Sequence, residues 1–367
     1  MGGAHVEALR RLPGVHVVAI AGRTEERGRT SARALDIPRA YGDPYALIAD
    51  PEVDVVHNCL PNHLHLPLNM AALAAGKHVI SEKPLALNSR ETATLVEFAE
   101  HSGLVTAVNF AYRYYPLVQH MRAMIQGGAL GTVYLVRGAY LQDWLLSRRD
   151  YNWRVDPDRG GPYRALGDIG SHWCDLVQYV TGRRITHVCA QSVIVHKTRP
   201  RPPAEAITFQ AASPGAGIEV PVVTEDAATV LIRFAGGSAG LFVVSQVSAG
   251  HKNGLTLEID CAEGALRWNQ EQPEELWIGH RDRPNEILPK DPALLNERAR
   301  AFAHYPGGHP EGYPDGIKNL FANVYAHITD RSVPAEFPTF HEAHEIVRLI
   351  EAVGVSNQEG GWIEAKC

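Results

Sequence analysis

Three side chains of this sequence, Lys83, Asp168 and His172, supply an amine, a carboxylate and an imidazole. Asp168 and His172 lie four residues apart, a spacing that puts two side chains on one face of a helix. An imidazole exchanges a proton near neutral pH, and an ammonium group can stabilise a developing alkoxide. Together these groups are suited to take a proton from an alcohol while hydride leaves its carbon.

The same residues also have structural explanations. Asp168 is well placed to cap a helix, and a histidine such as His172 often packs in a core with its hydrogen bonds satisfied. Gly167 and neighbouring glycines favour the functional interpretation, because they let the backbone approach a ligand closely. Lys83 follows an apolar strand and precedes Pro84, which favours an ammonium in a cleft over a solvated surface pair.

The first part of the chain alternates short apolar strands with helical stretches. The predicted strands are residues 16–21, 53–60, 78–81 and 104–109, and the predicted helices are 25–35, 66–75 and 89–101. This alternation predicts an α/β domain with a doubly wound parallel sheet over residues 1–109. Ligands of such sheets bind at the carboxyl ends of the strands, where Lys83 is expected.

Residues 110–367 have a different pattern and are expected to form a substrate-binding and oligomerisation domain. The predicted helices are 115–126, 169–180, 315–329 and 341–355, and the C-terminal helices could pack back on the first domain. The predicted strands are 132–142, 186–195, 227–234, 240–247, 255–261 and 266–269. Turns at Gly236-Gly237 and Glu263-Gly264 indicate hairpins, so a large, open, mostly antiparallel sheet is predicted, and residues 199–217 are expected to be a loop.

Gly2 and Gly3 stand where a dinucleotide-binding helix would begin. Gly2 matches the third glycine of the fingerprint, but the first strand and the first two glycines are not in this sequence. We therefore expect that a strand precedes Met1 in the complete protein, because losing a central strand would leave both of its neighbours without partners. By themselves, two glycines near an N-terminus are a weak signal.

Gly22, Arg23 and Thr24 follow the second expected strand of such a domain, where an acidic residue usually binds the adenosine ribose. Without that carboxylate a 2′-phosphate is not repelled, and Arg23 and Thr24 can donate hydrogen bonds to it. This favours NADP over NAD as the cofactor. The alternative is that Arg23 lies on a solvated turn.

Composition excludes several classes of protein. The net charge of −6 and the absence of a basic block argue against nucleic acid as a partner. There is no apolar run of membrane-spanning length and no secretion signal, so we expect a cytoplasmic protein without a membrane segment. The five cysteines form no Cys-x-x-Cys pair, which is typical of reduced thiols. His63 with His65, and His341 with His344, lack a convincing third ligand, so we expect no metal.

Three segments in order along the chain carry a resemblance to a known family. They are residues 62–65 (Asn-His-Leu-His), 75–86 (through Glu82-Lys83-Pro84) and 167–172 (Gly-Asp-Ile-Gly-Ser-His). Their order and spacing resemble the glucose-fructose oxidoreductase, inositol dehydrogenase and rhizopine-catabolism (Gfo/Idh/MocA) family over nearly the whole chain. The resemblance implies a Rossmann domain, a second domain with a large sheet used for dimer or tetramer contacts, and an NAD(P)-dependent oxidoreductase acting on a sugar, glycoside or cyclitol.

The resemblance also assigns roles to individual residues. Lys83, Asp168 and His172 match the catalytic lysine, aspartate and histidine of the family. The residues that match cofactor-lining positions are Pro61, Asn62, His65, Glu82, Lys83, Asn109 and Arg113. The residues expected to line the substrate are Gln142, Trp153, Arg154 and His309, beside Lys83, Asp168 and His172. Two alternatives stay open, an NAD-dependent glycosidase that acts by transient oxidation and a non-catalytic sensor of dinucleotide or sugar.

Overall fold

A computed structural model describes residues 1–203 and 217–365, which divide into two compact units. Unit 1 comprises residues 1–111 and 313–344, and unit 2 comprises residues 112–312 and the chain from 345 onward. Cys367 and most of the predicted loop at 199–217 lie outside the described residues. The four described cysteines, Cys59, Cys174, Cys189 and Cys261, are free thiols.

The first ten helices and strands belong to unit 1. They are α1 (Gly2–Arg10), β1 (Ala19–Ala21), α2 (Glu25–Ala34), β2 (Arg39–Tyr41), α3 (Pro44–Ile48), β3 (Val55–Asn58), α4 (His65–Ala74), β4 (His78–Ser81), α5 (Ser89–Ser102) and β5 (Thr106–Val108). All pairs of neighbouring strands in this set are parallel, in the orders β1-β2 and β3-β4-β5. The predicted parallel sheet is therefore confirmed, while β2 and α3 were missed because they are only three and five residues long and show no period in the sequence.

The described residues after β5 form six α-helices and eleven strands. They are α6 (Pro116–Gln126), β6 (Val133–Leu141), α7 (Pro157–Gly160), α8 (Ser171–Thr181), β7 (Ile185–Val193), β8 (Thr198–Arg201), β9 (Ile218–Pro221), β10 (Ala227–Phe234), β11 (Ala239–Ser245), β12 (Gly254–Cys261), β13 (Gly264–Asn269), β14 (Glu275–Gly279), β15 (Glu286–Pro289), α9 (Glu297–Arg300), α10 (Tyr313–Thr329), α11 (Phe340–Glu359) and β16 (Ile363–Glu364). Of these, α10 belongs to unit 1, and α11 begins in unit 1 and continues in unit 2 from Glu345.

A nine-stranded sheet forms the centre of unit 2, in the order β15-β14-β13-β12-β6-β11-β10-β7-β16. Every neighbouring pair is antiparallel except β6 with β11, so the predicted mostly antiparallel sheet is confirmed. Gly236 and Gly237 connect β10 to β11 with positive φ angles of 87° and 91°, which glycine adopts without strain. The prediction of a loop over residues 199–217 is wrong at its start, because Thr198–Arg201 pairs with Ile218–Pro221.

A cleft of about 1180 Å³ runs through unit 1 beside β1 and β3. Its walls include the apolar residues Val17, Ile20, Val55 and Val56. Within the described residues the sheet containing β1 and the sheet containing β3 share no strand pairing, and residues of both sheets line the cleft. None of the described helices is long and apolar enough to cross a membrane.

Candidate active site and cofactor cleft

Asp168 lies in a single π-helical turn, Leu166–Gly170, that runs directly into α8. Such turns are rare and are frequent at functional sites. Its Oδ1 accepts a hydrogen bond from Arg154 Nε at 3.2 Å, and its Oδ2 accepts one from Gln246 Nε2 at 2.9 Å. Gly170 is the N-cap residue of α8, so the alternative in which Asp168 caps the helix does not apply. The carboxylate is instead fixed from both sides by donors.

His172 is the second residue of α8 and is half-buried beside aromatic rings. Its ring centroid lies 4.9 Å from that of Tyr112 and 6.2 Å from that of Tyr140. The two tyrosine hydroxyls are 2.7 Å apart, and both are hydrogen-bonded to the Asn253 amide, at 2.9 and 2.6 Å. Burial raises the pKa of the Tyr112 hydroxyl, so this group stays protonated at neutral pH. The imidazole therefore faces neutral polar groups on this side.

The expected substrate residues differ in how they relate to Asp168. Arg154 bonds Asp168 directly, and its guanidinium carbon lies 4.4 Å from the centroid of the Trp153 ring. Gln142 is buried and its amide is used internally, since its Nε2 donates to Asn253 and its Oε1 accepts from Trp144. An internal role is therefore favoured for the Gln142 side chain.

His309 is exposed in a loop of unit 2 that a buried ion pair holds. Lys290 Nζ donates to the carbonyl of His309 at 2.8 Å and to the Glu311 carboxylate at 2.7 Å. Lys290 thus contacts the backbone of His309, whereas the exposed imidazole lies 3.4 Å from the carbonyl of Gly307 through its Nδ1.

Arg113, expected at the cofactor, forms a bidentate pair with Asp175. Its Nε and Nη2 donate to the two carboxylate oxygens at 2.9 and 2.5 Å, and both side chains are buried. Its guanidinium also lies 4.8 Å from the Tyr179 ring centroid. These contacts favour a structural role, because the charge of the guanidinium is already balanced by a buried carboxylate that it binds in bidentate fashion.

In unit 1, Glu82 and Lys83 directly follow β4, and the backbone continues the parallel pairing. The Glu82 N–H donates to the carbonyl of Asn58 at 2.9 Å, and the Asn109 N–H donates to that of Ser81 at 3.0 Å. The ends of three neighbouring strands therefore meet at one edge of this sheet, as expected for parallel strands. Lys83 is half-buried there.

The Glu82 carboxylate is buried in a hydrogen-bonded cluster. Its Oε1 accepts from His5 Nε2 at 2.9 Å and from Asn109 Nδ2 at 2.7 Å, and its Oε2 accepts from the Lys83 N–H at 3.3 Å. Burial works against both charges. It is outweighed by Cys59 and Glu82, which raise the pKa of His5 to about 10, and by His5, Asn109 and Lys83, which lower the pKa of Glu82 to about 2. His5 and Glu82 form an imidazolium–carboxylate pair.

A second histidine extends this cluster towards α10. His5 Nδ1 lies 2.9 Å from His57 Nδ1, and His57 Nε2 lies 3.1 Å from the Tyr325 hydroxyl. Burial and the neighbouring His5 charge lower the pKa of His57 well below its ordinary value, so His57 is neutral. Nothing in the local sequence indicates that His5 pairs with Glu82, because the two are 77 positions apart.

The turns after β3 and β4 are joined by His65. Its ring is fully buried, with Nε2 2.8 Å from the carbonyl of Leu60 and Nδ1 2.7 Å from that of Pro84. Asn62 is buried at the start of a 3₁₀ turn, and Pro61 is its half-buried N-cap. These contacts favour a structural role for His65, which connects the two turns, over direct contact with a ligand.

Gly22, Arg23 and Thr24 occupy the turn between β1 and α2. A Cβ at Gly22 would overlap the backbone N of Gly28, so glycine is required here for packing of the turn on α2. Thr24 is the N-cap of α2, and its hydroxyl accepts from the Arg27 N–H at 3.3 Å. Arg23 is exposed. The packing of Gly22 explains the missing acid without reference to the cofactor, so any preference for a 2′-phosphate depends on Arg23.

The cleft of unit 1 has features that fit a dinucleotide. Gly2, Gly22 and Arg23 line it, and Gly2 lies in the first turn of α1. The N–H groups of a helix N-terminus bind phosphate groups. Asn109 Oδ1 is a buried acceptor with no hydrogen-bond partner among residues 1–203 and 217–365. Over the same ranges no group of histidine, cysteine and acidic side chains is placed to hold a metal.

Two family models match the chain. Residues 1–110 match the oxidoreductase family with an NAD-binding Rossmann fold, and residues 118–267 match the GFO/IDH/MocA C-terminal domain. The levoglucosan dehydrogenase of Pseudarthrobacter phenanthrenivorans is 33% identical over 260 residues, which are 71% of this chain and 66% of that protein. The matched segment thus spans just under two thirds of that relative.

Solved structures are similar over almost the full length. A levoglucosan dehydrogenase in complex with NADH and levoglucosan has a TM-score of 0.89 at 26% identity, covering 100% of this chain and 97% of that one. An inositol dehydrogenase homologue from Azotobacter vinelandii, in complex with NADH and myo-inositol, has a TM-score of 0.86 at 27% identity, covering 99% and 93%. The predicted family and fold class are confirmed.

The buried pair makes the stability of unit 1 depend on pH. The pKa of His5 is raised from 6.5 to about 10, so its contribution is fully present below pH 6.5 and is lost as the pH rises towards 10. The pKa of Glu82 is lowered from 4.5 to about 2, so its contribution is present above pH 4.5 and is lost as the pH falls towards 2. We expect Glu82→Gln to lower the free energy of unfolding by about 3 kcal/mol at pH 6, the usual cost of breaking a buried pair.

Denaturant unfolding from pH 6 to pH 9.5 checks this expectation. The difference between the wild type and Glu82→Gln should shrink as the pH rises. Glu100→Gln, at an exposed position of α5, is the matched control. Its free energy of unfolding should vary with pH in parallel to that of the wild type. A difference that stays constant over this range would show that the pair is not ionised.

Proposed function

Because the chain belongs to the Gfo/Idh/MocA family of oxidoreductases, we propose that it interconverts a secondary alcohol and a ketone on a sugar, glycoside or cyclitol. The observation that carries the proposal is the Asp168 carboxylate, fixed by Arg154 and Gln246 one helical turn before His172. The sugar and cyclitol complexes of similar structures support the substrate class.

His172 is the general base of the proposed reaction. Its imidazole takes the proton of the substrate hydroxyl in the oxidative direction and returns it in the reductive direction. Each transfer creates or removes an imidazolium, and the negative charge of Asp168 on the preceding turn stabilises that cation. Because Arg154 and Gln246 hold the carboxylate, it does not need to reorganise when the charge appears.

Lys83 contributes the second polar contact to the reacting oxygen. Its ammonium donates a hydrogen bond to the alcohol and stabilises the negative charge that grows on that oxygen. His65 and Glu82 fix the turn that carries Lys83, through the carbonyl of Pro84 and the N–H of Lys83. For the substrate, the face of Trp153 and the guanidinium of Arg154 suit a sugar ring with several hydroxyls.

The cofactor of the proposal is a nicotinamide dinucleotide, which when bound supplies the hydride acceptor or donor. The first turn of α1, with Gly2 and Gly3, would hold its pyrophosphate, and Arg23 would lie near its adenosine ribose. Asn109 Oδ1 offers a buried acceptor at the strand ends. We propose NADP as the preferred form on the charge of Arg23, although similar structures hold NADH.

We further propose that the protein is a homodimer or homotetramer that associates through the sheet of unit 2. Along β10 the side chains alternate between buried and exposed, so one face of the sheet is covered and the other carries Thr229, Leu231 and Arg233. An exposed sheet face that carries apolar side chains such as Leu231 is a common place for a second subunit to bind.

A spectrophotometric screen of sugars and cyclitols with NAD and NADP tests the proposed activity. We expect reduction of the nicotinamide at 340 nm with at least one polyol. Hydrolysis of a glycoside with no net absorbance change would indicate the glycosidase alternative instead. Cofactor binding, followed by nicotinamide fluorescence, with no turnover across the panel would indicate a sensor.

On the substrate found in this way, His172→Ala should lower kcat by about 10²- to 10⁴-fold, the usual contribution of a general base. Cofactor affinity, measured by nicotinamide fluorescence, should stay the same because the base acts on the substrate proton. His251→Ala, at an exposed position of the same unit, is the matched control and should keep full activity. Unchanged turnover in His172→Ala would refute the assignment.

Arg23→Ala tests the cofactor preference. We expect the Kd for NADP to rise about tenfold or more, because hydrogen bonds to charged groups contribute roughly 1.5–3 kcal/mol, while the Kd for NAD stays nearly unchanged. Arg27→Ala, an exposed arginine on α2, is the control. An equal loss of affinity for NAD and NADP would mean that Arg23 does not bind the 2′-phosphate.

A further inference from the structure

The contacts of Glu82 define a function for a residue that the sequence did not single out. We propose that His5 is a positioning residue for Lys83: its imidazolium holds the buried Glu82 carboxylate, so that the adjacent Lys83 amine is kept for the substrate. The inference rests on the proposed role of Lys83. Helix α1 then has two proposed functions: its first turn binds phosphate, and its His5 neutralises the Glu82 carboxylate next to Lys83.

The positions of protons in the cluster follow from its geometry. Two ring nitrogens that face each other at 2.9 Å, His5 Nδ1 and His57 Nδ1, share one proton. The second nitrogen of His5 faces a carboxylate at 2.9 Å, whereas that of His57 faces the Tyr325 hydroxyl at 3.1 Å. The arrangement with lowest electrostatic energy therefore has both nitrogens of His5 protonated, and His57 accepts at Nδ1 and donates from Nε2 to the tyrosine.

The groups around His5 come from three elements of unit 1. β3 and the turn after it supply His57 and Cys59, the end of β4 supplies Glu82, and α10 supplies Tyr325. The Phe321 ring, also on α10, lies 4.8 Å from the His5 ring and excludes water on that side. Among these groups Glu82 is the carboxylate, and its partner must be a cation because both side chains are almost fully buried.

Lys83 is the other cation whose charge acts on Glu82, and it lowers the pKa of that carboxyl alongside His5. If His5 is replaced by a neutral side chain, the buried carboxylate loses its principal counter-ion. Two responses then lower the free energy of the folded protein: the Glu82 carboxylate takes up a proton, or the Lys83 ammonium moves towards it. Both responses change the environment of Lys83, and the second removes its amine from the substrate.

Competitive acylation with acetic anhydride measures the availability of the Lys83 amine directly. The full chain is labelled at pH 8 and mapped by mass spectrometry, with the exposed Lys197 as the internal reference. In His5→Asn we expect Lys83 to be acylated about tenfold more slowly relative to Lys197, the effect of an opposite charge drawn to within ~4–6 Å. In the double variant His5→Asn/Glu82→Gln, where no carboxylate remains, the relative rate should return to the wild-type value.

His57→Asn is the matched control, because it disturbs the same cluster but keeps an acceptor for His5 and leaves the pair with Glu82 intact. It should lower stability without changing the acylation of Lys83. If His5→Asn does not fold by circular dichroism, Glu82→Gln alone is the test, and Lys83 should then be acylated at least as fast as in the wild type. An unchanged rate in folded His5→Asn, or a slow rate in the variant without the carboxylate, would overturn the proposal.

The labelling experiment requires no substrate, so it separates this inference from the proposed function. If the acylation rates are as expected but no polyol is turned over, the proposed dehydrogenase activity is refuted and the proposed role of His5 is supported. With turnover, His5→Asn should lower kcat and leave KM largely unchanged. Turnover with identical acylation rates in every variant would refute the role of His5 alone.

Discussion

A carboxylate at the buried end of a strand loses its hydration, and the free energy of that loss must be offset by partners inside the fold. Glu82 is in this position at the end of β4, and its partners are His5 on α1 and Asn109 after β5. The pair ties the first helix of unit 1 to the edge where the parallel strands end. Lys83, the next residue, takes its position from the same turn.

In unit 2 the partly buried Asp168 carboxylate is likewise stabilised by partners inside the fold, but by different donors. This carboxylate is half-buried in a π-helical turn, where Arg154 and Gln246 bond its two oxygens. In both units a negative charge is fixed before any ligand binds. A preorganised charge is effective in catalysis because the protein does not need to reorient dipoles during the reaction.

Several residues that the sequence analysis assigned to ligand binding make structural contacts instead. Arg113 binds Asp175, His65 bridges two backbone carbonyls, and Gly22 is required by its contact with Gly28. The amide of Gln142 is likewise engaged with its neighbours. Residue type and position at a strand end therefore indicate where a site is, whereas the contacts decide which side chains have capacity for a ligand.

The sequence by itself determined the parallel sheet of unit 1, the antiparallel sheet of unit 2, and the positions of Lys83 after a strand and His172 in a helix, because periodicity is a local property of the chain. It missed β2 and α3, which are too short to show a period. Only the tertiary structure decided the partners of the charged groups. Glu82 and His5 are 77 positions apart, and Asp168 and Gln246 are 78 apart, so packing alone brings each pair together.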